Sequence, residues 1–212
     1  MKGDASLPEL YRWSLETLSR RPRPDWLRRY EALVAEHDGR AYHNWSHIES
    51  TLRTALDLIR LEGGVSETET AAIVFALFNH DRVYEPGRAD NEELAAQAAR
   101  EDGGDDEAGR LILLTKAHFA DPHDLAGKIV VDADLSILAA ERGEYGRYAV
   151  AIADEFGRLP KQEYRQGRIA FLRGMVRRAE EGSLFFTEHL DQALARQNME
   201  WEIAQLEAGV LP

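Results

Sequence analysis

The apolar run AAIVFALFN, Ala71 to Asn79, ends on His80 and Asp81, two adjacent side chains of the kind that bind metals and move protons. A charge beside a hydrophobic core is costly unless it is paired, so this doublet needs partners from elsewhere in the chain. Two segments supply them. Upstream, YHNWSHIE (Tyr42 to Glu49) carries His43 and His47; downstream, VVDADLSIL (Val130 to Leu138) carries Asp132 and Asp134. His47, His80, Asp81 and Asp134 make a mixed imidazole and carboxylate set suited to a divalent transition ion. A His-Asp dipeptide alone occurs often by chance. The information lies in the order His, then His-Asp, then Asp.

The segments that must position these residues read as helix nearly throughout. Ser66 and Glu69 form a capping box ahead of the apolar run, and Ile48, Leu52, Ala55, Leu56 and Ile59 recur at helical spacing. Strand patterns are absent, so the fold class is all-α. Helices are expected at 6–20, 25–37, 46–61, 67–79, 91–101, 106–118, 134–142, 145–156, 161–180 and 188–207, punctuated by Gly63-Gly64, Pro86-Gly87, Gly103-Gly104, Pro122, Gly143 and Pro160. Adjacent helical residues point about 100° apart, so His80 and Asp81 reach one ion only where the helix ends or distorts, and Pro86-Gly87 marks such an end. Asp132 and Asp134 face opposite ways if the helix begins there, leaving one as its cap and the other as a ligand. Lys116 and His118 share a site only if their helix frays at its end. Each residue also has an ordinary explanation: a core histidine paired with its neighbour, a doublet of caps, or a lysine complementing a helix C-terminus.

Length and composition set the frame. At 212 residues and 44% hydrophobic, the chain is long enough for one sizeable core, and one domain spanning 1–212 is expected. With no cysteine there is no thiolate site, so any metal must rely on histidines and carboxylates, which fits a cytoplasmic setting. MKGDASLPELYRW lacks the apolar centre of a signal peptide, and no stretch approaches the roughly 20 apolar residues of a membrane span. A net charge of -12 with only short arginine-rich pieces argues against nucleic acid polymers. It does not argue against small anions, because a buried divalent ion reverses the local field.

In order along the chain, the blocks YHNWSHI, FNHDRVYEPGRADNEELAA, LTKAH, DADLSIL, QGRIAFL and ALARQNMEWEI resemble the HD-domain superfamily of metal-dependent phosphohydrolases, in particular a subgroup of unassigned substrate. The likeness runs from about Tyr42 to Ile203. It implies a single helical HD-domain bundle of about eight to ten helices around a metal-containing cavity, acting on a small phosphorylated metabolite or nucleotide through a metal-activated water. It also implies one divalent ion (Mn, Mg, Fe, Co, Ni or Zn) on His47, His80, Asp81 and Asp134, with Asp132 capping or orienting a ligand. Asp81, Glu92 and His118 would handle protons, while His43, Asn91, Lys116 and Arg168 would bind substrate. Glu93 is assigned to the helix macrodipole. Tyr84 stands where some nucleotide-cleaving relatives carry a catalytic glutamate, which is a departure from their pattern. A homodimer is compatible with the chain. Two other classes remain: an HD-type di-iron oxygenase using His118 and His123 for a second metal, and a non-catalytic module that keeps its metal for structure and binds a ligand.

Overall fold

Ser66 opens the helix that carries the His-Asp pair. Its hydroxyl accepts from the Glu69 amide at 3.2 Å, and the Glu69 carboxylate returns to the Ser66 amide at 2.9 Å. Every residue from Thr70 to Asn79 is then buried, so this helix is apolar around its whole circumference and can only lie at the centre of a layer of others. The computed structural model describes residues 6–211, and among these it contains ten α-helices and no strand. They are α1 (Leu7–Ser19), α2 (Trp26–Glu36), α3 (Trp45–Glu62), α4 (Glu67–Asn79), α5 (Asn91–Glu101), α6 (Asp106–Ala117), α7 (Leu125–Leu135), α8 (Arg142–Glu155), α9 (Lys161–Glu180) and α10 (Gln192–Glu207), with a 3-10 turn at Ser136–Ala139. The fold is all-α, with the number of helices expected.

The residues group into two compact units. The first takes in the described residues up to Gly39 together with His43–Asp134, and the second Arg40–Tyr42 with the described residues from Leu135 onward. In the first, α4 packs against α1, α3, α5 and α6. Aromatic rings tie the layers: Tyr11 of α1 lies 5.7 Å from Phe75 and 5.4 Å from Phe78, and Trp45 stacks on Phe78 at 5.9 Å. Among the described residues, no helix is long and apolar enough to cross a membrane.

One expected helix is displaced. Instead of a helix at 134–142, α7 ends at Leu135 and the 3-10 turn follows. Asp124 starts α7, its carboxylate accepting from the Gly127 amide at 2.9 Å while Arg110 holds it at 2.5 and 3.2 Å. Gly127 lies where a Cβ would run into Asp124 Oδ2 and come within 2.7 Å of Leu114 Cδ1. Asp132 and Asp134 therefore lie near the C-terminal end of a helix, and neither caps the start of one. The last helix also begins later than expected, at Gln192, because Asp191 accepts from the Leu194 amide at 2.9 Å.

The second unit is α8, α9, α10 and the 3-10 turn, with α10 packed on all three. Its centre holds an ion pair. Arg168 donates to Glu202 through Nε at 2.7 Å and Nη2 at 3.1 Å, and the Tyr145 hydroxyl donates to the same carboxylate at 2.5 Å. Burial opposes the charge on Arg168, and the neighbouring Tyr148 and Glu202 more than restore it. Removing one partner strands the other. Glu202→Ala is expected to destabilise the chain by about 3–5 kcal/mol, read as a lower urea midpoint, and Arg168→Met with Glu202→Leu should recover most of that loss. Equal midpoints for wild type and Glu202→Ala would show the pair to be dispensable.

Candidate metal centre

Four helix ends bring the site together. Asn44 caps α3, accepting from the Ser46 amide at 2.9 Å, and this sets His47 in the first turn, buried. His80 is the C-cap of α4, so the helix ends between His80 and Asp81 and both side chains can turn to one side. Asp134 lies in the last turn of α7. His118 is the C-cap of α6 with φ 47° and ψ 49°, a left-handed conformation that is uncommon for residues other than glycine.

His47, His80 and Asp134 form a group that could hold a metal ion. The Nε2 atoms of His47 and His80 are 3.3 Å apart, and Asp134 Oδ1 is 3.3 Å from each. That triangle matches the roughly 3.3 Å separation of ligands on a tetrahedral ion with bonds of about 2.0 Å. Asp81 stands outside this mutually close trio, yet its Oδ2 lies 3.3 Å from His47 Nε2 and 3.0 Å from His80 Nε2. His118 Nε2 reaches the other oxygen of Asp134, Oδ2, at 3.4 Å. His80 Nδ1 is 2.9 Å from the Leu77 carbonyl oxygen. A proton on Nδ1 serves that bond and leaves Nε2 of the neutral ring as a lone pair aimed at the group.

The electrostatics call for positive charge at this point. Burial pushes the Asp81 and Asp134 carboxyls up, but His80 and the other imidazoles around them hold both well below the ordinary carboxylate range. Burial likewise pushes His47 and His80 down, and the two carboxylates reverse this, raising His47 and carrying His80 well above its usual value. Protons alone are a poor solution, because two imidazolium rings would face each other with Nε2 atoms 3.3 Å apart. A divalent cation meets the same demand with both rings neutral. Three of the four contributing helices also present their C-terminal ends, whose partial negative charge favours a cation by about 0.3–1 kcal/mol each. The donor set fits a divalent metal.

The remaining candidates divide. His43 and His118 are brought to the group: His43 stands 5.8 Å from the His47 ring and its charge acts on Asp81. Lys116 is not, since its ammonium donates to the Ala89 carbonyl at 2.7 Å and pairs with Glu93. Glu93, assigned to the macrodipole, is thus a lysine partner as well. Asn91 spends its amide on the Glu85 backbone, accepting from N–H at 3.1 Å and donating to C=O at 3.0 Å. Glu92 is half-buried in the first turn of α5, outside the metal-binding group, where its charge acts on Lys116. Asp132 is wholly buried in α7, His123 is an exposed loop residue, and Arg168 is committed to Glu202 in the second unit. The sequence did not reveal the contact of Tyr84 with His43, a ring stack at 4.0 Å. Nor did it reveal Arg82, which follows the His-Asp pair and ties the turn to Glu36, Asn79 and Asp102.

Comparison with protein-family models, curated proteins and solved structures returns no match to this chain.

Reconstituted protein is expected to retain about one divalent ion per chain, and His80→Ala or Asp134→Ala should lose it while helical circular dichroism persists. Elemental analysis finding no metal in the wild type, or equal metal in the variants, would remove the centre.

Proposed function

We propose that the chain is a metal-dependent phosphohydrolase of the HD type, acting on a small phosphorylated metabolite or nucleotide with one divalent ion on His47, His80, Asp81 and Asp134. The observation that carries this reading is the convergence of those four side chains, drawn from three separated segments, with oxygen and nitrogen atoms 3.0 to 3.3 Å from one another across the imidazole pair. The ordered blocks from Tyr42 to Ile203 that resemble HD phosphohydrolases add the reaction class. A divalent ion bound there supplies Lewis acidity, drawing charge from a phosphoryl oxygen and making a nearby water more acidic.

The chain's own residues do the rest. The side chains of Asp81 and His118 are the more open ones, 16% and 25% exposed, against 4% and 1% for His47 and His80. His47 and His80 thus orient, and Asp81 and His118 face the reacting groups. Asp81 takes the proton of the attacking water as the water oxygen bonds to phosphorus and the bond from phosphorus to the leaving oxygen breaks. His118 returns a proton to the oxygen that leaves, and His43 donates a hydrogen bond to the phosphoryl group. Glu92 is the reserve base. A second ion would use His118 beside Asp134, but the oxygenase reading also asks for His123, which lies exposed in the loop before α7.

Metal-loaded wild type should hydrolyse p-nitrophenyl phosphate or its bis-ester with at least one of the six metals. His118→Ala should keep its metal and lose about 10²- to 10⁴-fold in kcat, whereas His123→Ala should match the wild type in both. No hydrolysis with any metal, or loss of half the metal together with an iron chromophore in His123→Ala, would replace this reading with the binding module or the oxygenase respectively.

A further inference from the structure

Tyr84 is half-buried, in the turn that follows the His-Asp pair, and its ring lies against the imidazole of His43 with centroids 4.0 Å apart and planes 28° from parallel. Core packing does not explain the contact, because both rings are partly exposed. The residues on either side of Tyr84 are anchored, Arg82 by its side chain and Glu85 by its backbone. Two residues before it, Arg82 donates to Glu36 at 3.0 and 3.1 Å, to Asn79 at 3.1 Å and to Asp102 at 2.8 Å. Directly after it, Glu85 is held through N–H and C=O by the buried Asn91. A turn pinned at both ends presents its middle side chain in one place. His43 comes from a different segment, one residue before the cap of α3, and its ring stands 5.8 Å from that of His47 at a steep 75°. The stack therefore narrows the rotamers open to the half-exposed His43 imidazole and favours its place beside the His47 ring.

We propose that Tyr84 is a positioning residue, whose ring holds His43 at the edge of the metal-binding group so that the imidazole meets an incoming phosphoryl oxygen. The phosphoryl contact rests on the phosphohydrolase reading; the stack itself does not. The aromatic face of Tyr84 is what matters, since stacking needs the ring and not the hydroxyl. Asn91 then serves the site at one remove, by closing the turn that carries Tyr84.

The test uses the full chain loaded with Zn and has two readouts. Histidine side-chain NMR reads the stack directly: Tyr84→Leu should shift the His43 ring resonances through loss of the tyrosine ring current, and Tyr84→Phe should leave them near their wild-type positions. Calorimetric titration with inorganic phosphate reads the contact: Tyr84→Leu and His43→Ala should each weaken binding about tenfold with metal content unchanged, Tyr84→Phe should not, and Tyr84→Leu with His43→Ala should be no weaker than His43→Ala alone. Unmoved His43 resonances in Tyr84→Leu, or additive losses in the double variant, would overturn the proposal. Wild type that binds no phosphate while its His43 signal still responds to Tyr84→Leu would retain the stack and count against the phosphohydrolase reading instead.

Discussion

Two carboxylates with little access to water, set against two imidazoles with their Nε2 atoms 3.3 Å apart, are the constraint on which this structure turns. Such a group is unstable without positive charge, and His47, His80 and His118 are the groups that approach the two carboxylates at 3.0 to 3.4 Å. The four donors also come from helix termini and not from helix middles. A helix end frees the direction of the next side chain, which lets His80 and Asp81 address one point despite being neighbours in sequence. The buried, featureless cylinder of α4 supplies the rigidity. The chemical groups it delivers are its C-cap, His80, and Asp81 directly after.

The two units handle buried charge in different ways. In the second, Arg168 and Glu202 neutralise each other, and Tyr145 occupies a remaining carboxylate lone pair, so the charges are closed to outside partners. In the first, Arg82, Arg29 and Asp102 form a similar network beside the His-Asp turn, whereas the adjoining Asp81 and Asp134 carboxylates are set against the imidazoles of His47 and His80. The contrast separates scaffold from site better than burial does. It also explains why arginines and lysines that look suited to phosphate in the sequence, Arg168 and Lys116 among them, prove to be engaged elsewhere.

Much of the fold could be read from the chain because its signals are local. The capping box at Ser66, the spacing from Ile48 to Ile59 and the Gly and Pro punctuation all act within a few residues. The error at α7 has a specific source: the Asp132-Asp134 doublet reads as the start of a helix, whereas the start is capped by Asp124, which Arg110 of α6 holds. The residues of the group that could hold a metal, His47, His80 and Asp134, could be named from their types and order. Their companions could not. His118 reaches Asp134 only because its backbone turns left-handed, and Tyr84 meets His43 only because Arg82 and Asn91 pin the turn between them; both facts depend on contacts distant in sequence.

The backbone at His118 carries a further implication. Glycine adopts φ 47° without steric penalty, whereas an imidazole-bearing residue there costs on the order of 1 kcal/mol. The chain forgoes that easy gain at one of the few places where it was available. Glycine at this position would relieve the strain and remove the imidazole beside Asp134, so on the proposed reading His118 would mark where stability and chemistry pull the sequence in opposite directions.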